Sequence, residues 1–360
     1  MRRRTRGTDV VIVGGGPAGS AAAIAAARAG ARVILLERHA TPRDRPGETL
    51  HPGIEPLLRW LGADDLLAEA TVARHEGHWV RGAGRRRFLR FGRDASGPWL
   101  GFQAWRRTFD AGLRRRAADL GVEVRTGTAV AGILRDGGRV LGVATEGGEE
   151  LPAAVTIDAA GGGHWIARQL GLGVTRLSPR LIATFGYTAP APAAPARRLP
   201  REPELSADAG GWTWIAPLGA KGWHWSRLAL DGRRAERGWQ PARLAGLTPV
   251  GPSRGADVTW RMVPAAGGPG WLAAGDAGAV LDPASSHGVL RALLSGAQAG
   301  VLAATAGSTD ARERFGAYDA WFRQGVTRDA ETLRASYATL FPGRAAPARL
   351  TARRRTRHPA

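Results

Sequence analysis

The segment from Asp9 to Arg38, DVVIVGGGPAGSAAAIAAARAGARVILLER, limits the fold of this 360-residue chain more than any other. Val10 to Val13 is an apolar run of strand length that enters a glycine cluster with the spacing G-x-G-x-x-G at Gly14, Gly16 and Gly19. A parallel strand buried on both faces reads this way. In such a turn the first glycine permits the tight reversal, the second lets a pyrophosphate approach the backbone, and the third lets the next helix pack close to the strand. Ser20 to Ala29 is expected to be that helix, stopped by Gly30, and Ala31 to Leu36 a second strand ending at Glu37. That acid stands roughly 20 residues past the glycines, where a carboxylate holds both hydroxyls of an adenosine ribose and disfavours a 2′-phosphate. Strand, glycines, helix, strand and acid fall in order. The expected ligand is an ADP moiety, as in FAD or NAD, with Pro17, Ala18 and Arg38 beside it.

Composition narrows the class. The chain has no cysteine, which excludes disulfides, thiolate metal sites and a redox-active cysteine pair. Its histidines show no metal-ligand spacing, so no metal is expected. Apart from the alanine-rich first helix, no run of about 20 apolar residues offers a membrane span. Arg2 to Arg6 ahead of that helix resemble an export signal, but Arg28, Arg32 and Glu37 interrupt the apolar stretch too early, and a cytoplasmic location is expected. The formal charge is +20, carried almost wholly by arginine, with Lys221 the only lysine. The densest runs, Arg2 to Arg6 and Arg353 to Arg357, sit at the ends, where solvated tails are the default, so nucleic acid is not the expected partner.

Along the chain, Arg43 to Gly62 reads as turns leading into a short helix with Ile54, Leu57, Leu58 and Leu61 on its apolar face. Gly77 to Phe102 alternates as antiparallel strands do. Arg106 to Leu120 reads as a helix, Val122 to Arg125 as a strand, and Ile133 to Thr145 as a hairpin about Asp136-Gly137-Gly138. Val155 to Ala160 is a further strand, and Ala189 to Pro203 a connection of low structural content. Trp212 to Pro217, Trp223 to Leu230 and Val258 to Met262 are expected in a second sheet. Trp271 to Gly275 reads as a last buried strand, followed by helices at Ser285 to Leu302 and Phe315 to Phe341.

Four separated motifs then resemble the FAD-dependent aromatic hydroxylases, the superfamily that includes p-hydroxybenzoate hydroxylase and the flavin-dependent tryptophan halogenases. They are the glycine turn with Glu37, Arg106 in RRTFD, IDAAGGGHWIARQLG from Ile157, and AAGDAGAVLDPASSHGV, whose Asp276 is similar to the acid that holds the flavin ribityl chain. Gly162 and Gly163 depart from the family's usual third motif. The resemblance implies an α/β fold, with a Rossmann-type FAD-binding domain (8–75, 103–175 and 263–308) interleaved with an antiparallel-sheet substrate domain (76–102 and 176–262). Helices at 309–342 and a basic tail at 343–360 complete it. It also implies FAD contacts from Pro283, Ser286, Gly288 and Val289, where helix-start amides face the reduced ring.

The reaction implied is hydroxylation of an electron-rich ring through a flavin C4a-hydroperoxide, with His51, His287 and Glu48 as candidate acid or base groups and Trp212 and Trp214 as walls of an aromatic pocket. GETLHPG, DPASSHG and WTWIAP resemble the halogenase-like branch, and within it the flavin monooxygenases that hydroxylate a peptidyl tryptophan during maturation of a quinohemoprotein. The substrate is then an aromatic small molecule or an aromatic peptide. A halogenase needs a lysine past the Gly47-Glu48 segment, and His78 to Arg93 contains none. No second dinucleotide motif is present, so electrons are expected from NAD(P)H directly or through a partner flavin reductase. Halogenation, and a non-catalytic flavin or nucleic-acid binding protein, are the alternatives.

Overall fold

The computed structural model describes residues 8–41, 46–190, 199–306 and 311–342. Both arginine-rich ends lie outside the described residues. The first sheet has eight strands, and its main path runs Glu123–Thr126, Val33–Glu37, Thr8–Val13, Glu150–Asp158, Arg139–Thr145, Val130–Asp136. Thr8–Val13 pairs in parallel with Val33–Glu37 on one side and with the second half of Glu150–Asp158 on the other. That long strand changes partner type along its length: its first residues pair antiparallel with the 130–145 hairpin, and its last three pair in parallel with Trp271–Ala273. Gly137 and Gly138 close the hairpin with φ of 50° and 81°, the double positive φ of a two-residue turn that matches strand twist.

Among the described residues seven α-helices follow in chain order: α1 Pro17–Arg28, α2 Ile54–Leu61, α3 Asp65–Ala70, α4 Arg106–Asp119, α5 Trp165–Gln169, α6 Gly288–Ala304 and α7 Ala311–Leu340. Helix α1 is buried continuously from Ala18 to Ala26, which is why it is built of alanine. It begins at Pro17 rather than Ser20, because proline at the first helical position has the right φ and no N–H to leave unpaired. Its neighbour α6 lies directly against it. A Cβ on Gly296 would sit 2.1 Å from the Ala18 carbonyl oxygen, and one on Gly300 would sit 2.2 Å from that of Ala22. The two backbones touch where these glycines are.

The second sheet has seven strands in the order Pro249–Asp257, Ile182–Thr188, Trp223–Ala229, Gly211–Pro217, Glu204–Asp208, Gly77–Gly82, Arg85–Arg90. Register decides which side chains share a face. Trp214 lies opposite Ser226 and Trp212 opposite Leu228, whereas Trp225 lies opposite Ile215. Trp212 and Trp214 therefore project from one face and Trp223 and Trp225 from the other, so the four do not form one wall. Trp225 packs with Trp239, Leu244 and Leu247 on its own side.

Two further expectations shift. Val258 to Met262 is not in the second sheet; only Arg261–Met262 is strand, in a small separate sheet. The sheet's edge is instead Pro249–Asp257, whose glycines and proline hide it from any alternation test and are tolerated because an edge needs only one ladder. The helix expected from Ser285 starts at Gly288, since Ser286 has φ of 54° and ends a short 3-10 turn.

Helix α7 ties the two sheets together. Its apolar stripe, Phe315, Tyr318, Phe322, Val326, Ala330, Leu333 and Tyr337, is buried at helical spacing. The Tyr318 hydroxyl donates to the Ala273 carbonyl at 2.9 Å. Tyr337 donates to the Asp282 carboxylate and accepts from Trp212 Nε1 at 3.2 Å. Among the described residues, no helix is long and apolar enough to cross a membrane.

The α1–α6 contact gives a paired expectation. Gly296→Ala should cost at least ~2 kcal/mol, because a new methyl meets backbone rather than a movable side chain. Gly316→Ala on α7, where a Cβ meets nothing within 4 Å, should be neutral or stabilising by up to ~1 kcal/mol. Urea unfolding of the two variants checks both.

Candidate active site between the two sheets

Each glycine of the turn has a distinct task. Gly14 has φ of 106°, and a Cβ there would lie 2.4 Å from the Ala159 carbonyl oxygen; one on Gly19 would lie 1.8 Å from the Gly14 oxygen. Both are needed by the protein's own packing. Gly16 is different: a Cβ there meets no protein atom within 4 Å. It is also the residue that precedes α1, with no side chain capping the helix amides. That open space over a positive helix end is a place for phosphate oxygens. The Glu37 carboxylate is held at its base by the Gly15 and His39 amides, both at 2.9 Å. Arg114 Nη1 donates to the Gly15 carbonyl at 2.8 Å, and Arg38 lies exposed with its Nε donating to His39.

Arg106 is buried at the start of α4. It forms a bidentate pair with Asp110, both bonds at 3.0 Å, and donates through Nη1 to the Pro46 carbonyl at 3.0 Å. Three of its five N–H groups are thus committed, two to Asp110 within α4 and one to the Pro46 carbonyl in the segment that leads to Glu48, which leaves two for a ligand. Asp276 stands in the turn after the Trp271–Ala273 strand, about half exposed, 3.8 Å from Arg291 Nη2. The third motif is structural. Asp158 caps its own loop by accepting from the Ala160 and Ile166 amides, and burial raises its carboxyl to about 6. His164, in a left-handed conformation, donates from Nδ1 to the Ala277 carbonyl and accepts from Arg261 Nε, so both ring nitrogens are used.

At the start of α6, Asp282 Oδ1 accepts from the Ala284 amide at 2.8 Å, Pro283 to Ser285 make one 3-10 turn, and no side chain caps the helix at Gly288 and Val289. Here the His287 and His51 rings meet with centroids 4.8 Å apart. The cluster continues through Phe91, 5.3 Å from His51, to His78, and from His78 to Trp214 at 5.5 Å. Burial, with His287 as a lesser contributor, pushes His51 down to about 4; burial, then His75, pushes His78 down to about 4 as well. Burial also lowers His287. His75 also touches Phe91, with centroids 5.4 Å apart, but its ring nitrogens are already used: Nδ1 donates to the Gly77 carbonyl and Nε2 accepts from Gln103.

The structure thus brings His51, His287 and Trp214 together but places Trp212 in the core, 1% exposed and bonded to Tyr337. Trp212 walls no open pocket. Glu48 is also buried, and accepts from the Tyr187 hydroxyl at 2.5 Å. The sequence reading missed His78, Phe91, Tyr187 and His224. His78 and Phe91 carried a signal in the alternating Gly77 to Phe102 stretch, whereas Tyr187 and His224 meet only through strand register.

A family model described as FAD binding domain matches residues 7–193. The chain belongs to this family. The chain is 33% identical to the menaquinone reductase of Mycolicibacterium smegmatis over 84% of this chain and 78% of that protein. It is 27% identical to the 1H-pyrrole-2-carbonyl-(peptidyl-carrier protein) brominase of Pseudoalteromonas luteoviolacea over 93% and 86%. Among solved structures, the flavin-dependent brominase Bmp2 superposes with a TM-score of 0.79 at 26% identity, covering 93% of this chain and 88% of that one. These relatives carry enzyme names, one of them flavin-dependent, and together with the FAD-binding family they support an FAD-dependent oxidoreductase as the class. The residues fit FAD: the space over Gly16 and the α1 amides would take the pyrophosphate, Glu37 the adenosine ribose, Asp276 the ribityl chain, and the α6 amides the ring edge.

Two expectations follow. Gly16→Val should keep wild-type stability and lose FAD affinity by a factor of at least about 100, whereas Gly19→Ala should fail first in stability; equilibrium unfolding and FAD titration separate the two. His51 and His78 stay neutral in the fold down to about pH 4, while an unfolded imidazole charges below about pH 6.5. Their stabilising effect is complete above about pH 6.5 and is lost as pH falls toward 4. The melting temperature should drop across that window, and His78→Asn should flatten the drop.

Proposed function

We propose that the chain is an FAD-dependent monooxygenase that hydroxylates an electron-rich aromatic ring, a tryptophan side chain within a peptide being the first candidate. The observation that carries this reading is the cluster of His51, His287, His78, Phe91 and Trp214 at the uncapped start of α6. FAD, when bound, supplies electron transfer and oxygen activation, and the chain positions the ring. Phe91 and Trp214 offer offset or edge-on contact to an aromatic guest. The rings of His78 and His287 make no hydrogen bond among the described residues, and neutral imidazoles accept a substrate N–H or O–H. His51 Nδ1 accepts from the Gly53 amide at 3.0 Å, so the neutral ring carries its hydrogen on Nε2, the atom that donates to a substrate oxygen. The amides of Gly288 and Val289 stabilise negative charge at the ring edge.

We assign residues 8–75, 103–175 and 263–308 to FAD and 76–102 and 176–262 to the substrate. The electron donor in this reading is NAD(P)H, acting directly or through a partner reductase. We place the protein in the cytoplasm. What supports oxygen transfer over halogenation is the position of Lys221, the only lysine. Its ammonium sits 4.6 Å over the Trp105 ring on an exposed turn, outside the histidine cluster.

The reading is tested by supplying FAD, a reductant and oxygen-18 gas with aromatic peptides and free aromatics. The expected product carries a single labelled oxygen on the ring, with no effect of chloride or bromide. A halogenated product, or anaerobic reduction of a menaquinone of the kind one relative's name suggests, would overturn it. His287→Phe should lower kcat/KM by about 100-fold or more while FAD uptake persists.

A further inference from the structure

Glu48, Tyr187 and His224 form a second buried cluster on the far side of the Thr49–Leu50 strand from the Thr49, Gln103 and His75 network. Tyr187 and His224 stand directly opposite each other on neighbouring strands of the seven-stranded sheet, while Glu48 enters from the other sheet's connecting segment. Glu48 is 2% exposed and His224 3%. Glu48 Oε1 takes the Tyr187 hydroxyl. Glu48 Oε2 faces His224 Nδ1 at 3.5 Å, and neither atom has a hydrogen-bond partner. Two buried polar atoms that face only each other require a proton between them, because an unpaired buried acceptor costs about 1–3 kcal/mol or more. The other ring nitrogen, His224 Nε2, lies 3.3 Å from Ser226 Oγ, a hydroxyl that can either donate or accept.

This arrangement has room for one proton and no more. With neutral His224 carrying its hydrogen on Nδ1, the pair holds a net charge of −1: Nδ1 donates to Oε2 and Nε2 accepts from Ser226. With one proton added, Nε2–H donates to Ser226, the Nδ1–H···Oε2 contact remains, and the pair is neutral. We propose that Glu48 and His224 together form a one-proton store for the aromatic site, the gained proton resting on His224 Nε2 and Tyr187 acting as the positioning residue that holds Glu48, filling and emptying without displacement of a heavy atom. The inference rests on the hydroxylation reading above. When the ring carbon that has received oxygen loses its C–H bond, the electron pair returns to the ring and the proton forms the new N–H or O–H bond in the pair. It leaves by the reverse transfer to water past Tyr187, whose ring is only half-buried.

Other charges set the balance. Burial lowers His224 from its ordinary value, and the Glu48 charge opposes that. From α4, burial alone would lower the Arg106 guanidinium, but Asp110, then Glu48 and Asp276, outweigh it and keep it charged beside the pair. From the 219–221 turn, the Lys221 ammonium over Trp105, whose ring is 5.8 Å from Tyr187, adds a second, more screened positive charge.

The test reads protons rather than turnover. In FAD-loaded protein labelled with histidine nitrogen-15, His224 is identified by the signal missing in His224→Gln. As pH falls from neutral, that signal should pass from the neutral to the doubly protonated form in the wild type, with a midpoint below the ordinary imidazole value because burial outweighs the Glu48 charge. It should stay neutral throughout in Glu48→Gln, and its midpoint should move by at least half a unit in Tyr187→Phe. A limb of the kcat/KM pH profile should share the wild-type midpoint and vanish in Glu48→Gln. A wild-type His224 that is neutral at every pH would overturn the proposal without any variant having to fold. An unchanged titration in Glu48→Gln would overturn it equally. Because the spectra need no substrate, failure of the store and failure of the hydroxylation reading are distinguishable.

Discussion

The backbone contact of α1 with the glycine turn on one side and α6 on the other governs the rest of this structure. Gly19 lets α1 begin against the first strand, and Gly296 and Gly300 let α6 lie on its other flank with no side chain between. The closeness brings two uncapped helix starts, at Gly16 and Gly288, to the same end of one sheet. Two positive dipole ends suit an extended ligand with phosphates at one end and a ring that becomes anionic at the other. Wider spacing, with leucines in place of the glycines and alanines, would give a fold of similar topology but pull those ends apart.

Around that axis the chain divides its polar groups into those already satisfied and those left open. His75, His164, Asp158 and most of Arg106 spend their bonding capacity on holding strands and turns. Burial favours the neutral form of His51, His78 and His287, and each keeps at least one ring nitrogen outside the hydrogen bonds among the described residues, Nε2 alone in His51. Helix α7 keeps the two groups in register, because Tyr337 bonds both Asp282, just ahead of the α6 turn, and Trp212, in the second sheet. The aromatic cluster is therefore held from both sides.

Much of this was legible in the sequence wherever the cause is local. The glycine turn, the Gly137-Gly138 hairpin and the stripe of the last helix all announce themselves through turn chemistry or periodicity. Glu37, Asp276 and the Pro283 to Val289 segment were located by their place in motifs. What periodicity could not supply was register. Nothing in WTWIAP and WHWSRL says that the two pairs of tryptophans face opposite ways, since that depends on a loop that sets Trp214 opposite Ser226. Tyr187 and His224 are likewise 37 positions apart and become neighbours only through pairing. The Pro249–Asp257 edge was missed because an exposed edge needs no apolar alternation.

The proposed function requires a flavin between the two uncapped helix starts, with its ring against the histidine cluster. The most direct measurement is the histidine nitrogen-15 spectrum of the protein before and after an equivalent of FAD. Shifts are expected at His51 and His287, while His75 and His164, whose ring nitrogens are all engaged by protein, stay in place. No uptake of FAD, or uptake that leaves His51 and His287 unmoved, would contradict it.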